Sequence, residues 1–231
     1  MKLSIAMATY NGERHIRQQL DSILSQSIDD FEIIICDDCS TDSTFNILCE
    51  YEKKDKRIRV YKNETNLGFL KNFERALSCC SGDYIACCDQ DDIWTHKHLE
   101  ILLHNIGKND CIGANALIIN DTGISLNKTT KDALFIENFP SNSNSIFKYE
   151  CFYNLIQGTA CLVRKKILDD ILPFPEGIKF HDHWIALNAS ILNGCKYIPD
   201  IILNYRVHHL NVTGIKKFNL CHAIHTIVNA K

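Results

Sequence analysis

The sequence predicts an α/β protein: a mostly parallel, doubly wound (Rossmann-like) sheet with helices on both faces, then a smaller mixed region. Three observations predict it. Apolar runs alternate with helix-spaced stretches through the first half, in a β-α-β-α-β-α-β series. The run Phe31-Glu32-Ile33-Ile34-Ile35-Cys36 is nearly continuous, as in a parallel strand covered on both faces. Polar clusters follow three of the runs, at the carboxyl ends where such sheets bind ligands.

Leu3 to Ala8 reads as the first strand. Glu13 to Gln26 is helical, with Ile16, Leu20, Ile23 and Leu24 on one face. After Phe31 to Cys36, Thr41 or Ser43 caps a helix reaching about Lys53. Arg57 to Tyr61 is a third strand, Asn66-Leu67-Gly68 a turn, and Phe69 to Cys80 a helix ended by Gly82. Tyr84 to Cys88 is the fourth strand and Trp94 to Asn105 the next helix. Beyond it, Cys111 to Ile119, Thr159 to Val163 and Lys196 to Ile198 read as strands, and Ile185 to Leu192 as a helix. Asp121 to Ser145 is polar and rich in Asn, Ser and Thr, and reads as a long loop. The chain reads as one domain, with a nucleotide-binding half over 1–120 and a half for the second substrate over 121–231.

With 231 residues, 45% of them apolar, the chain is long enough for one sizeable core. A net charge of −3 does not suggest the basic surface that phosphate backbones need, so nucleic acid is not an expected partner. The apolar start is broken at once by Thr9-Tyr10-Asn11-Gly12, unlike a secretory leader, and no run is long enough to span a bilayer. A soluble, cytoplasmic protein is expected, at most attached to a membrane surface. Twelve cysteines are many, but Cys36, Cys87, Cys88 and Cys161 fall at strand positions and are expected to be free, buried thiols.

Three carboxylates crowd into Asp89-Gln90-Asp91-Asp92 after a buried strand. Such crowding is costly unless a cation neutralises it, and hard oxygen ligands suit Mg²⁺ or Mn²⁺ bridging to substrate phosphates. A solvated acidic turn is the plain alternative. Asp37-Asp38 holds the same position after its own strand, as acceptors for a base or ribose or as a helix cap. Cys36-Asp37-Asp38-Cys39 has redox spacing, but two carboxylates between the thiols disfavour the thiolate. Phe180-His181-Asp182-His183-Trp184 offers Asp182 as a general base, or simply a polar helix start. In Asn204-Tyr205-Arg206-Val207-His208-His209, histidines suit a metal and Arg206 a phosphate.

In order and spacing, Ala8-Thr9-Tyr10-Asn11-Gly12, Asp37-Asp38-Cys39-Ser40-Thr41-Asp42, Asn66-Leu67-Gly68 and Asp89-Gln90-Asp91-Asp92-Ile93-Trp94 resemble the family-2 inverting glycosyltransferases. Over nearly the whole chain the likeness continues, through Gln157-Gly158-Thr159, Leu172-Pro173-Phe174-Pro175, His181-Asp182-His183-Trp184 and Tyr205-Arg206-Val207-His208, which are similar to a bacterial rhamnosyltransferase-like branch. The resemblance implies a GT-A-type fold and transfer of rhamnose or another hexose from a UDP- or dTDP-sugar to a saccharide or lipid-linked acceptor, in surface polysaccharide assembly. It implies donor binding by Thr9, Tyr10, Asn11, Glu13, Asp38, Asn66, Gly68 and Asp89. It implies Mg²⁺ or Mn²⁺ on Asp91, Asp89 and His208, with Asp182 as general base and Gln157, Gly158, His183 and Trp184 toward the acceptor. His183 stands where that branch often has an aromatic residue. Such relatives also often continue past the equivalent of Lys231, so a C-terminal acceptor- or membrane-binding segment is expected to be missing. Two other readings are a sugar-nucleotide pyrophosphorylase, which would need a Gly-rich basic loop in place of Thr9-Tyr10-Asn11-Gly12-Glu13, and a non-catalytic glycan- or nucleotide-binding relative.

Overall fold

The computed structural model describes residues 2–134, 140 and 142–208. Four parallel strands form the first half of the sheet: β1 (Leu3–Thr9), β2 (Phe31–Asp37), β3 (Ile58–Lys62) and β4 (Tyr84–Cys88), in the order β3-β2-β1-β4. Every residue of β2 is buried. Ile33 and Ile35 enter one apolar layer while Ile34 and Cys36 enter the other, so both faces are covered as the continuous run requires.

The helices α1 (Ile16–Leu24), α2 (Thr44–Lys54) and α4 (His98–Asn105) cover one face. On α1, Ile16, Leu20 and Ile23 share a stripe and are fully buried; each such side chain contributes about 1.5–3 kcal/mol. The helix α3 (Phe69–Cys79) covers the opposite face with Phe73, Ala76 and Leu77. Ser43 stands at the N-cap of α2 without a capping bond; Asp42 instead accepts the Thr44 N–H. Ile93–Trp94 is a short strand, β5, so the helix expected from Trp94 begins at His98.

The second half departs from a parallel sheet. Strand β8 (Cys161–Arg164) runs antiparallel to β4, β6 (Cys111–Asn120) antiparallel to β8, and β9 (Cys195–Val207) parallel to β6. β5 closes the edge against β9. The stretch expected as a long loop instead carries β7 (Ser125–Thr129), α5 (Thr130–Ala133) and the start of α6 (Ser143–Glu150). α7 (Lys165–Ile171) and α8 (His181–Ile191) pack on the α3 side of the sheet. Among the described residues no helix is long and apolar enough to cross a membrane. Cys36, Cys87, Cys88 and Cys161 are buried and unpaired.

Candidate active site

The parallel register puts the polar clusters side by side. Thr9 pairs with Asp37 and Met7 with Cys88, so the loops after β1, β2 and β4 leave the sheet at one edge. A cavity of about 520 Å³ opens there. Its lining includes Thr9, Tyr10, Asn11, Asp38, Asn66, Gly68, Asp89, Asp91, Asp182 and His208. Residues from both halves of the chain therefore share one site.

One wall is organised by buried carboxylates. Asp37 accepts from Thr9 Oγ1 (3.1 Å), Ser40 N (3.0 Å) and Ser40 Oγ (2.6 Å). Asp38 accepts from Asn63 Nδ2 (2.6 Å), Leu67 N (2.7 Å) and Gly68 N (2.8 Å). Gly68 has φ of 81°, which glycine adopts without strain. Asn66 donates to the Asp38 carbonyl at 3.1 Å. Asp38, expected to hold a base, thus spends its carboxylate on the turn that shapes the wall. Beneath it, Asn72 donates to Cys36 O and accepts from Asn63.

The loop after β1 is clamped on two sides. Asn11 N donates to Ser40 Oγ, Gly12 N to Thr44 Oγ1 and Glu13 N to Asp42. The Glu13 carboxylate accepts from Ser43 N (2.8 Å) and does not line this cavity. From the acidic run, Gln90 pairs with both backbone groups of Tyr10, accepting at 2.9 Å and donating at 3.0 Å. Gly12 leaves room for it: a Cβ there would meet Gln90 Oε1 at 2.3 Å.

The three acids of the run have separate environments. Asp92 is fully buried and accepts from Arg206 N; burial, then Asp91, pushes its carboxyl well above the usual range. Asp89 has a raised pKa from burial, then from Asp91 and Asp92. Asp91 Oδ2 meets His208 Nε2 at 2.8 Å. The His208 ring stacks on His15, 5.4 Å between centroids, and His15 in turn contacts Asp121, which also pairs with Arg14. Burial, then Arg206, lowers the His15 pKa against the pull of Asp121.

Arg206 does not face the phosphate position that the sequence offered it. It is 1% exposed, and donates to the carbonyls of Asp91 (2.7 Å) and Asp121 (2.9 Å) and to Gln18 (2.7 Å). It ties β9 to the acidic run. Among the described residues no three His, Cys, Asp or Glu side chains converge as a ready metal cage, so Asp89, Asp91 and His208 are not a preformed three-ligand set. Asp89 and Asp91 still fit a cation that also takes oxygen ligands from a substrate, because burial and mutual repulsion oppose their joint charge. His209 lies outside the described residues.

Asp182, in the first turn of α8, is held at both oxygens. Oδ1 accepts from Asn154 Nδ2 (3.0 Å) and His183 N (2.8 Å), and Oδ2 from Gly158 N (2.8 Å). Gly158 is required by close approach, since a Cβ there would lie 2.7 Å from His181 Nε2. His181 cannot easily yield, because its ring is buried and stacked on Phe73 at 3.9 Å. Of the residues expected toward the acceptor, none lines the cavity. Gly158 supports Asp182, His183 contacts the Glu150 carbonyl, Trp184 Nε1 donates to Ile171 O, and Gln157 is half-buried.

The glycosyl transferase family 2 model matches residues 4–172. The chain belongs to that family. It is 32% identical over 219 residues to an uncharacterized glycosyltransferase of Haemophilus influenzae, covering 89% of this chain and 65% of that protein. It is 37% identical over 125 residues to the UDP-Glc:alpha-D-GlcNAc-diphosphoundecaprenol beta-1,3-glucosyltransferase WfgD of Escherichia coli, covering 53% of this chain and 48% of that one. Staphylococcus aureus TarS 1-349 in complex with UDP superimposes with a TM-score of 0.70 at 25% identity, over 90% of this chain and 61% of that one. The fold is therefore of the GT-A type, as the sequence led us to expect. The chain spans about two thirds or less of the length of these proteins.

Sequence reasoning passed over several residues that build this candidate site: Asn63, Asn72, Gln90, Asn154 and Glu150. Asn72 carried a readable signal, a polar residue in the apolar stripe of α3 beside Phe73 and Ala76. Gln90 carried none, because nothing in the run distinguishes it from a solvated spacer.

Proposed function

We propose that this chain is the core of an inverting glycosyltransferase, moving a sugar from a UDP- or dTDP-sugar to the hydroxyl of a saccharide or lipid-linked acceptor. The observation that carries the reading is that one cavity is lined by Asp89 and Asp91 beside His208 and also by Asp182. Asp182 is the general base: it takes the acceptor proton as the acceptor oxygen bonds to C1 of the sugar and the bond from C1 to the diphosphate breaks on the opposite face. Asn154 and Gly158 fix the direction of its carboxylate. Asp91, Asp89 and His208 would hold Mg²⁺ or Mn²⁺, which supplies positive charge to the departing nucleoside diphosphate. The turn held by Asp38, with Thr9, Tyr10, Asn11, Asn66 and Gly68, forms the wall for the nucleoside. Work at the inner face of a bacterial membrane, in surface polysaccharide assembly and with a rhamnosyl or other hexosyl donor, fits this reading.

A pyrophosphorylase fits less well, because the Asn11, Gly12 and Glu13 amides donate to Ser40, Thr44 and Asp42 rather than standing open to phosphate. The test is a thermal-shift panel of nucleotide sugars with and without Mn²⁺. At a hundred times its dissociation constant a true donor adds about 2.7 kcal/mol of stability by mass action. A UDP- or dTDP-sugar is expected to raise Tm with Mn²⁺ and to lose that effect in Asp91→Ala. A shift from no nucleotide sugar overturns the reading.

A further inference from the structure

We propose that Glu150 is a positioning residue for the base, holding the segment 154–158 against Asp182. The proposal rests on the assignment of Asp182 as base. Glu150 is the last residue of α6 and is fully buried. Its Oε1 accepts from Leu155 N (3.2 Å) and Ile156 N (2.9 Å). Those amides lie between Asn154 and Gly158, the two residues of the segment that donate to opposite oxygens of Asp182. The Glu150 carbonyl also contacts His183 Nε2, and His183 N is the third donor to Asp182. One buried residue therefore reaches the supports of the base from two directions, its side chain through the two amides and its backbone carbonyl through His183.

No lysine or arginine neutralises Glu150 among the described residues. The charged or titratable groups facing it from α8 are Asp182 and His183, whose Nε2 lies 3.8 Å from Oε2. Its own segment adds Cys151 and Tyr153, neither of them buried, and α6 adds Lys148 and Tyr149. Burial pushes the Glu150 carboxyl up to about 9, with Asp182 adding to the rise and the Ile156 and Leu155 amides opposing it. At neutral pH Glu150 is thus a carboxylic acid whose carbonyl oxygen takes the two amides. A glutamine offers the same acceptor in the same shape, whereas an alanine offers none.

The experiment compares the parent chain with Glu150→Gln, Glu150→Ala and Asp182→Asn. It reads amide hydrogen exchange in 154–158 from pH 7 to 10, corrected for intrinsic rates, and hydrolysis of UDP-glucose and UDP-N-acetylglucosamine with Mn²⁺. Glu150→Ala is expected to lose at least about tenfold in protection, equivalent to about 1.4 kcal/mol. Any hydrolysis should fall in kcat with the donor KM unchanged. Glu150→Gln is expected to keep both, and to lack the loss of protection that the parent shows as pH rises from 7 toward 9 and that levels off above 9, because the open segment ionises its carboxyl long before the closed one does. Parent-like protection in a folded Glu150→Ala, or a Glu150→Gln as deprotected as the alanine variant, overturns the proposal. If neither donor is hydrolysed, the exchange series alone decides it. Parent-like hydrolysis by Asp182→Asn would instead sink the base assignment and leave the exchange result standing.

Discussion

Gly12 and Gln90 are coupled, and the strength of that coupling can be worked from distances. A Cβ on residue 12 would lie 2.3 Å from Gln90 Oε1 and 2.5 Å from Cδ. The Gln90 amide ends a flexible side chain, so it can move, but only by giving up its two bonds to Tyr10 at 2.9 and 3.0 Å. At about 0.5–1.5 kcal/mol each, Gly12→Ala should cost about 1–3 kcal/mol. Gln90→Ala forfeits the same bonds, and water replaces them because Tyr10 is exposed. In that background the three atoms nearest the new methyl, all of them from Gln90, are gone, so adding Gly12→Ala should cost much less. The cycle is read by urea unfolding of the four proteins, and the expected coupling is about 1–3 kcal/mol, as for residues in contact. An equal cost of Gly12→Ala in both backgrounds would refute this reading of the loop.

Other outcomes follow from the same geometry. Despite burial, bonds from Ser4 and Ser81 and the charge of Lys2 hold the Glu32 carboxyl down at about 2. Its contribution is complete above the unfolded value of 4.5 and lost as pH falls toward 2. Glu32→Gln should therefore flatten the acid limb of stability by up to about 3 kcal/mol in pH-dependent unfolding, and an unchanged limb would contradict it. Asp38→Ala should release the turn at Leu67 and Gly68, raising amide exchange there and weakening UDP binding at least tenfold by calorimetry, about 1.4 kcal/mol. Arg206→Met leaves the Asp91 and Asp121 carbonyls without their donor and should destabilise by about 2–4 kcal/mol in urea.

The first half of the fold was legible because its physics is local. Phe31–Asp37 is buried on both faces and reads so residue by residue, and the ends of parallel strands fix where ligands bind. The second half was less so. Only Lys196 to Ile198 reads as strand in the sequence, yet β9 runs on through Pro199-Asp200. In the sheet it is an irregularity: Ala114 pairs with Ile198 but Asn115 with Ile201, and the strand continues to Val207. The stretch read as loop hides α5 and α6, whose capping boxes at Thr129/Asp132 and Asn142/Ser145 were visible signals. At the site, the sequence brought Thr9, Asp38 and Asp91 to one crevice, and offered Asp182 as a base, without showing what each carboxylate touches. That depends on long-range partners such as Gly158 and Arg206, which no local pattern announces.

The central claim is that one cavity divides its carboxylates between a leaving-group end and a base. It is tested most directly by conversion of UDP-sugar to UDP with Mn²⁺, measured beside UDP–Mn²⁺ binding, in the parent, Asp182→Asn and Asp91→Asn. Asp182→Asn should bind as the parent does and turn over about 10²–10⁴ times more slowly, while Asp91→Asn should lose the metal-dependent part of binding. Parent-like turnover in Asp182→Asn, or parent-like metal-dependent binding in Asp91→Asn, would contradict it.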